Sequence, residues 1–123
     1  MSRFAALVYL ESNPSKNEDL LYDQIDAIIE SYDENYTNDY HPHPSGFNYD
    51  YWQTPMEGGR WDIGYEKPIL AKDIDLVLCK KHIYAIVLNG DYAVTVDNDA
   101  EFLNALNKLP TMAGWVVLII CHV

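Results

Sequence analysis

Residues 82–96 read His-Ile-Tyr-Ala-Ile-Val-Leu-Asn-Gly-Asp-Tyr-Ala-Val-Thr-Val. Two runs rich in apolar and β-branched residues, 82–88 and 92–96, flank the dipeptide Asn89-Gly90. Asn-Gly is the dipeptide best suited to a tight turn between two strands. This stretch therefore predicts a hairpin of two antiparallel strands.

A helix is predicted upstream of the hairpin, over residues 16–34. Ser15 followed by Glu18 has the spacing of a capping box at a helix start. Apolar residues then recur at i, i+4, i+7, i+8 and i+11, which is the spacing of one helix face. These residues are Leu21, Ile25, Ile28, Ile29 and Tyr32.

Two strands and a second helix are predicted at the ends of the chain. Residues 4–10 and 113–122 are largely apolar runs of strand length, which suit strands that are covered on both faces. A helix near 99–108 follows a second capping box, Asn98 with Glu101.

The element order predicts an α+β fold of the ferredoxin-like βαββαβ type, with one mainly antiparallel sheet and two helices on one face. Residues 35–60 form a long aromatic and acidic insert after the first helix. Beyond the insert, 61–65 alternate like a short strand, and 69–78 fit either a short helix or an edge strand. The length suits a single domain over 1–123, and an exposed sheet edge allows a monomer or a homodimer.

The charge of the chain is concentrated in one segment. The formal net charge is −11, and residues 17–59 contain ten acids but no lysine or arginine. Such a surface repels nucleic acid and anionic membranes, so neither is expected as a direct partner. The surface suits a basic protein, metal cations or water alone. The acids lack the Asp-x-Asp-x-Asp-Gly spacing of a calcium loop.

Acids on the predicted first helix oppose its stability. Asp19–Asp23, Asp26–Glu30 and Glu30–Glu34 are like-charge pairs at i, i+4, and each costs about 0.2–0.5 kcal/mol. The sequence leaves three interpretations of this acidic face. It is a surface that only contacts solvent, a docking face for a basic partner, or a divalent-cation site. Docking is the leading functional hypothesis, since exposed tyrosine and tryptophan side chains add contact area at low entropy cost. The predicted partner-binding residues are Asp23, Asp26, Glu30, Asp33, Glu34, Tyr36, Asp39, Tyr40 and Trp52.

The motif Gly58-Gly59-Arg60-Trp61 is the second candidate site. Glycines allow a ligand to approach the backbone closely, Arg60 can pair with a phosphate or carboxylate, and Trp61 can stack on a base. These properties fit a nucleotide-binding module. The alternative is a tight turn before a strand, with Arg60 paired to an acid and Trp61 in the core.

Histidine and cysteine residues offer two further possibilities. One is a four-ligand metal set, and the other is a nucleophile–base pair at Cys121-His122. Adjacent strand residues point to opposite faces, which disfavours that pair. The four possible metal ligands are His41, His43, Cys79 and His82. We adopt neither possibility and predict no metal, no cofactor and no catalytic residue. We expect both cysteines to be buried free thiols.

Gly58-Gly59-Arg60-Trp61, together with the tail Cys121-His122-Val123, resembles small uncharacterised proteins encoded by phages and prophages. The resemblance covers the central motif and the tail, with a similar element order between them, whereas residues 51–57 depart from the tryptophan-rich lead-in of that group. It implies an anti-defence role in the cytoplasm of a bacterial host. One form is an anti-CRISPR-type inhibitor that occupies the nucleic-acid-binding surface of a CRISPR effector or another host protein. The other is a sponge that sequesters a nucleotide signal.

Overall fold

The computed structural model describes residues 3–34, 46–56, 58–65 and 67–123. Within these ranges the chain forms six strands and three α-helices. The strands are Arg3–Leu10 (β1), Tyr51–Gln53 (β2), Ile69–Leu70 (β3), Ala85–Asn89 (β4), Tyr92–Thr95 (β5) and Trp115–His122 (β6). The α-helices are Glu18–Ile29 (α1), Leu76–His82 (α2) and Asp99–Lys108 (α3). Short 3-10 turns cover Glu30–Tyr32, Ala71–Asp73 and Leu109–Thr111.

All six strands belong to one sheet, which has β1 and β6 near its centre. β1 pairs with β6 in antiparallel fashion and with β4 in parallel. β4 continues into β5, which forms one outer edge. On the other side, β2 and β3 pair with the two ends of β6, and between them the Leu118 N–H donates to the Tyr65 carbonyl at 2.8 Å. The second edge is therefore built from short segments rather than from one strand.

The apolar runs in β1 and β6 fill two cores, one on each face of the sheet. Alternate side chains of a strand point to opposite faces, so a strand that is covered on both sides is apolar throughout. One core joins the sheet to α2 and α3, and it includes Phe102 and Leu118. The other core joins the sheet to α1, and it includes Ile25, Ile29 and Trp52.

The predicted α+β class is confirmed, but the ferredoxin-like arrangement is not. The prediction placed two helices on one face, whereas α1 lies on one face and α2 and α3 share the other. In addition, β1 lies directly beside β4, so the hairpin extends the sheet outward through β5. Aromatic residues of the insert, including Phe47 and Tyr49, complete a core under α1, so this helix has its own packing surface.

Helix α2 forms in the stretch that the sequence left open between helix and strand. β3 ends at Leu70, and α2 begins after Asp75, whose carboxylate accepts the Leu78 N–H at 3.0 Å. The helix continues to His82, so β4 begins at Ala85 instead of the predicted residue 82. Both alternatives for 69–78 are therefore partly right.

The predicted hairpin is confirmed. β4 and β5 pair in antiparallel register up to Asn89 and Tyr92, with a shift in register just before the turn. Neither Asn89 nor Gly90 adopts a positive φ angle. Instead, the Asn89 side chain accepts the Asp91 N–H at 2.7 Å, so a side-chain hydrogen bond closes the turn.

Helix α1 is shorter than the predicted range of 16–34. It is capped by Asn17, whose side chain accepts the Leu20 N–H at 3.1 Å, so Ser15 is not the capping residue. It ends at Ile29, and one 3-10 turn follows. Helix α3, in contrast, has the bounds that the sequence predicted, but the predicted capping box is wrong, because the Asn98 side chain accepts no capping hydrogen bond.

Candidate functional site

Four acids form a stripe along the outer side of α1 and the 3-10 turn after it. They recur at i, i+4, i+7 and i+11, so they share one side of the helix over a length of about 16 Å. Three of them are exposed, Asp26 is half-buried, and the last turn of α1 carries no basic residue. We call Asp19, Asp23, Asp26 and Glu30 the acidic stripe.

An aromatic pair borders the acidic stripe. The Tyr22 ring stacks on the ring of Trp52, with centroids 4.0 Å apart and planes inclined by 18°. The Trp52 indole N–H donates to the Asp26 carboxylate at 3.2 Å. Trp52 is only 5% exposed, whereas Tyr22 is 45% exposed. Trp52, which the sequence predicted as a contact residue, therefore supports the surface from below, and Tyr22 presents the aromatic face.

Strand β2 brings Trp52 under α1. Trp52 pairs with Cys121 at the edge of the sheet, and both side chains belong to the core on the α1 face. Burial, followed by the nearby Asp26 carboxylate, raises the pKa of Tyr22, so its hydroxyl stays protonated at neutral pH. The predicted partner-binding set omitted Tyr22. Its position between Asp19 and Asp26, one helical turn from each, is the signal that points to it.

Asp33 and Glu34 lie beyond the acidic stripe, where the chain leaves the helix, and both are half-buried. Asp33 forms an isolated parallel bridge with Tyr49, and the Glu34 N–H donates to the Tyr49 carbonyl at 2.9 Å. The Tyr49 hydroxyl donates to the Ile29 carbonyl at 3.2 Å, and burial raises its pKa. These contacts hold the end of α1 against the returning insert.

A groove of about 850 Å³ opens beside Tyr22. It lies between the start of α1, the segment that follows β2, and the start of β6. Its volume falls within the range of about 300–1,000 Å³ that is typical of ligand sites. Its aromatic and charged lining consists of Tyr22, Trp52, Trp115, Lys16, Glu18, Asp19 and Lys67.

The glycines of the second candidate site form a tight turn outside this groove. Gly58 has a φ angle of 73°, and its N–H donates to the Asp62 carboxylate at 2.6 Å. The Gly59 N–H donates to the Met56 carbonyl at 2.9 Å. The backbone N–H groups of both glycines are therefore already hydrogen-bonded, and the Asp62 carboxylate beside them would repel a phosphate group.

The side chains of the same motif lie at the surface of that turn. Arg60 is exposed, and its guanidinium carbon lies 5.0 Å from the centre of the Trp61 ring. Trp61 is half-buried and packs against the core on the α2 and α3 face. The strand predicted over 61–65 is wrong, because only Tyr65 bonds to the sheet and the residues before it form turns. Nucleotide binding at this motif stays a prediction.

The cysteines and the C-terminal histidine are buried. Cys79 and Cys121 are both free, as predicted. Burial raises the pKa of Cys79 to about 11 and also raises that of Cys121, so neither is a thiolate at neutral pH. The His122 ring stacks on Tyr51 at 4.0 Å between centroids, and within the described ranges neither of its nitrogens has a hydrogen-bond partner. Burial, followed by the Arg3 guanidinium, lowers the pKa of His122.

Five residues of the predicted sites lie outside the described ranges and stay predictions. They are Tyr36, Asp39 and Tyr40 of the partner-binding set, and His41 and His43 of the metal set. Among the residues that the structure describes, no group of three or more histidine, cysteine, aspartate or glutamate side chains is placed to hold a metal ion.

The chain matches no protein-family model, no curated protein and no solved structure. No helix within the described ranges combines the length and the apolar character that a membrane span requires.

Proposed function

We propose that this chain is a non-enzymatic binding protein that docks onto a basic surface of another protein through α1. The acidic stripe is the observation that carries the proposal. It places four carboxylates on one side of a helix, and no lysine or arginine occurs in residues 17–59 to neutralise them within that segment. A surface of one sign attracts a partner of opposite sign and speeds its association.

The acidic stripe weakens the isolated protein. Asp19–Asp23 and Asp26–Glu30 are like-charge pairs at i, i+4, and each costs about 0.2–0.5 kcal/mol. Glu30 also follows α1 at the negative end of the helix dipole, where a cation is favoured. A basic partner relieves this repulsion, so binding of the partner also stabilises the folded chain.

A protein surface that binds nucleic acid is the partner that fits best. Carboxylates of the stripe follow one another at an average rise of about 5–6 Å along the helix, so they form a row of negative charges like that of a nucleic-acid strand. The resemblance to phage accessory proteins favours a defence protein of a bacterial host, such as a CRISPR effector, in the host cytoplasm. The charge of −11 opposes direct binding to nucleic acid.

The test is a pull-down with the tagged chain from bacterial host lysate at low salt, followed by elution in a salt gradient. We expect the wild type to retain a nucleic-acid-binding protein and to release it at moderate salt, because salt screens exposed charges. A variant with Asp23→Lys and Glu30→Lys is expected to bind this protein at least about tenfold more weakly.

A matched control carries Asp73→Lys and Glu101→Lys. Both acids are exposed, the charge change is the same, and both lie with the elements on the α2 and α3 face. Loss of the partner in the stripe variant alone supports the proposal. Equal binding by both variants would show that α1 is not the docking face, and a wild type that retains no nucleic-acid-binding protein would refute the proposal.

A further inference from the structure

Tyr22 is an accessible aromatic residue that lines the groove. Its ring stacks on Trp52 at 4.0 Å, and with an exposed fraction of 45% much of the residue is accessible to solvent. Trp52 is itself held by its hydrogen bond to Asp26. The Tyr22 ring is therefore oriented before a partner arrives, which reduces the entropy cost of binding against it.

Carboxylates bracket this aromatic face. Glu18 and Asp19 lie one helical turn before Tyr22, and Asp26 lies one turn after it. Asp26 already accepts the indole N–H of Trp52. Glu18 and Asp19 are exposed and line the groove together with Tyr22, so they are the carboxylates that a new partner can reach.

We infer that the groove binds an arginine side chain of the basic partner, with the guanidinium stacked on Tyr22 and hydrogen-bonded to Glu18 or Asp19. Arginine fits because its planar cation stacks on an aromatic ring while its N–H groups pair with a carboxylate. Lysine carries a compact charge without a planar face. The inference rests on the proposed function and specifies which side chain the partner uses.

The groove restricts the number of positive charges that it accepts. Lys16 and Lys67 also line it, and they repel additional cations. Trp115 and Pro55 supply apolar surface for the alkyl stem of the arginine and for an uncharged neighbour. The groove itself therefore accepts one arginine side chain rather than a run of basic residues.

The probes for this site are N-acetyl-argininamide and N-acetyl-lysinamide, titrated at low salt into the full-length ¹⁵N-labelled protein. The indole N–H of Trp52 reports binding, because its ring lies directly under Tyr22. We expect a saturable shift of this signal with the arginine derivative. The lysine derivative should bind about fivefold more weakly, because it lacks the stacking face.

Substitutions at Tyr22 test the role of the aromatic face. Tyr22→Leu keeps apolar packing on Trp52 but should abolish the preference for arginine, whereas Tyr22→Phe should retain it. Tyr92→Leu removes another exposed tyrosine, on β5, and should behave like the wild type. Equal shifts with both derivatives, no shift with either, or a preference that survives Tyr22→Leu would each overturn the inference.

The pull-down separates this inference from the proposed function. A Tyr22→Leu variant that retains the partner at wild-type strength, while the Asp23→Lys and Glu30→Lys variant loses it, overturns the arginine site and leaves the docking face intact. If the variant with Asp23→Lys and Glu30→Lys still binds the partner, the proposed function is overturned. This conclusion does not depend on the titrations with the arginine and lysine derivatives.

Discussion

The two faces of the sheet are covered in different ways. On one face, α2 and α3 pack together over the sheet, whereas α1 packs on the other face with aromatic residues of the insert, among them Tyr49 and Trp52. Five of the eight basic residues fall within 60–81, but the segment 17–59 contains none. The acidic helix is thus packed on aromatic rings, and this arrangement leaves its charged outer side exposed to solvent.

The largest expected effect comes from removing the aromatic support under α1. Trp52→Ala should lower the free energy of unfolding by about 3–5 kcal/mol, because it empties a buried site and breaks the hydrogen bond to Asp26. Phe102→Ala, on the other face, should lower it by about the same amount. Urea denaturation measures both changes. Only Trp52→Ala should also weaken partner binding under conditions where both variants are folded, and equal weakening would contradict the difference between the faces.

A smaller effect is expected when the charges of the acidic stripe are changed. Asp23→Lys and Glu30→Lys together should raise the free energy of unfolding by about 1 kcal/mol, because two repulsive i, i+4 pairs become attractive. Urea denaturation at low salt measures the gain, which should shrink near about 1 M salt. Asp73→Lys with Glu101→Lys creates no such pairs on α1 and should give no gain. A stripe variant no more stable than the wild type would show that repulsion along α1 is negligible.

The smallest expected effect concerns His122, which lies at the end of β6 and stacks on Tyr51. Its pKa is lowered in the folded chain, so the unfolded chain binds a proton more readily as the pH falls below about 6.5. The stability that the protein gains from a neutral His122 is therefore fully present above that pH and is lost as the pH falls through the lowered pKa of the folded chain. His122→Phe keeps a ring under Tyr51 and should reduce the loss of melting temperature between about pH 7.5 and 5.5. The same loss in both proteins would exclude His122 as its source.

Local sequence patterns predicted the elements that have local causes. Helix α3 and the hairpin at Asn89-Gly90 follow from spacing and turn chemistry, and both are confirmed. Strand β2 was missed because it has three residues and depends on pairing with the end of β6. For the region of helix α2 the sequence predicted either a short helix or an edge strand, because seven residues are too few to show a clear apolar period.

The sequence already contained the charge of the acidic stripe, because acids that recur every three or four residues must share one side of any helix that they form. The order of the strands, the face that each helix covers and the burial of Trp52 were decided by tertiary structure alone. Tyr22 and Trp52 are thirty positions apart along the chain, and no local period joins them. Their contact exists because β2 pairs with β6 under α1, and it turns a solvated acidic helix into a surface with an oriented aromatic ring and a groove.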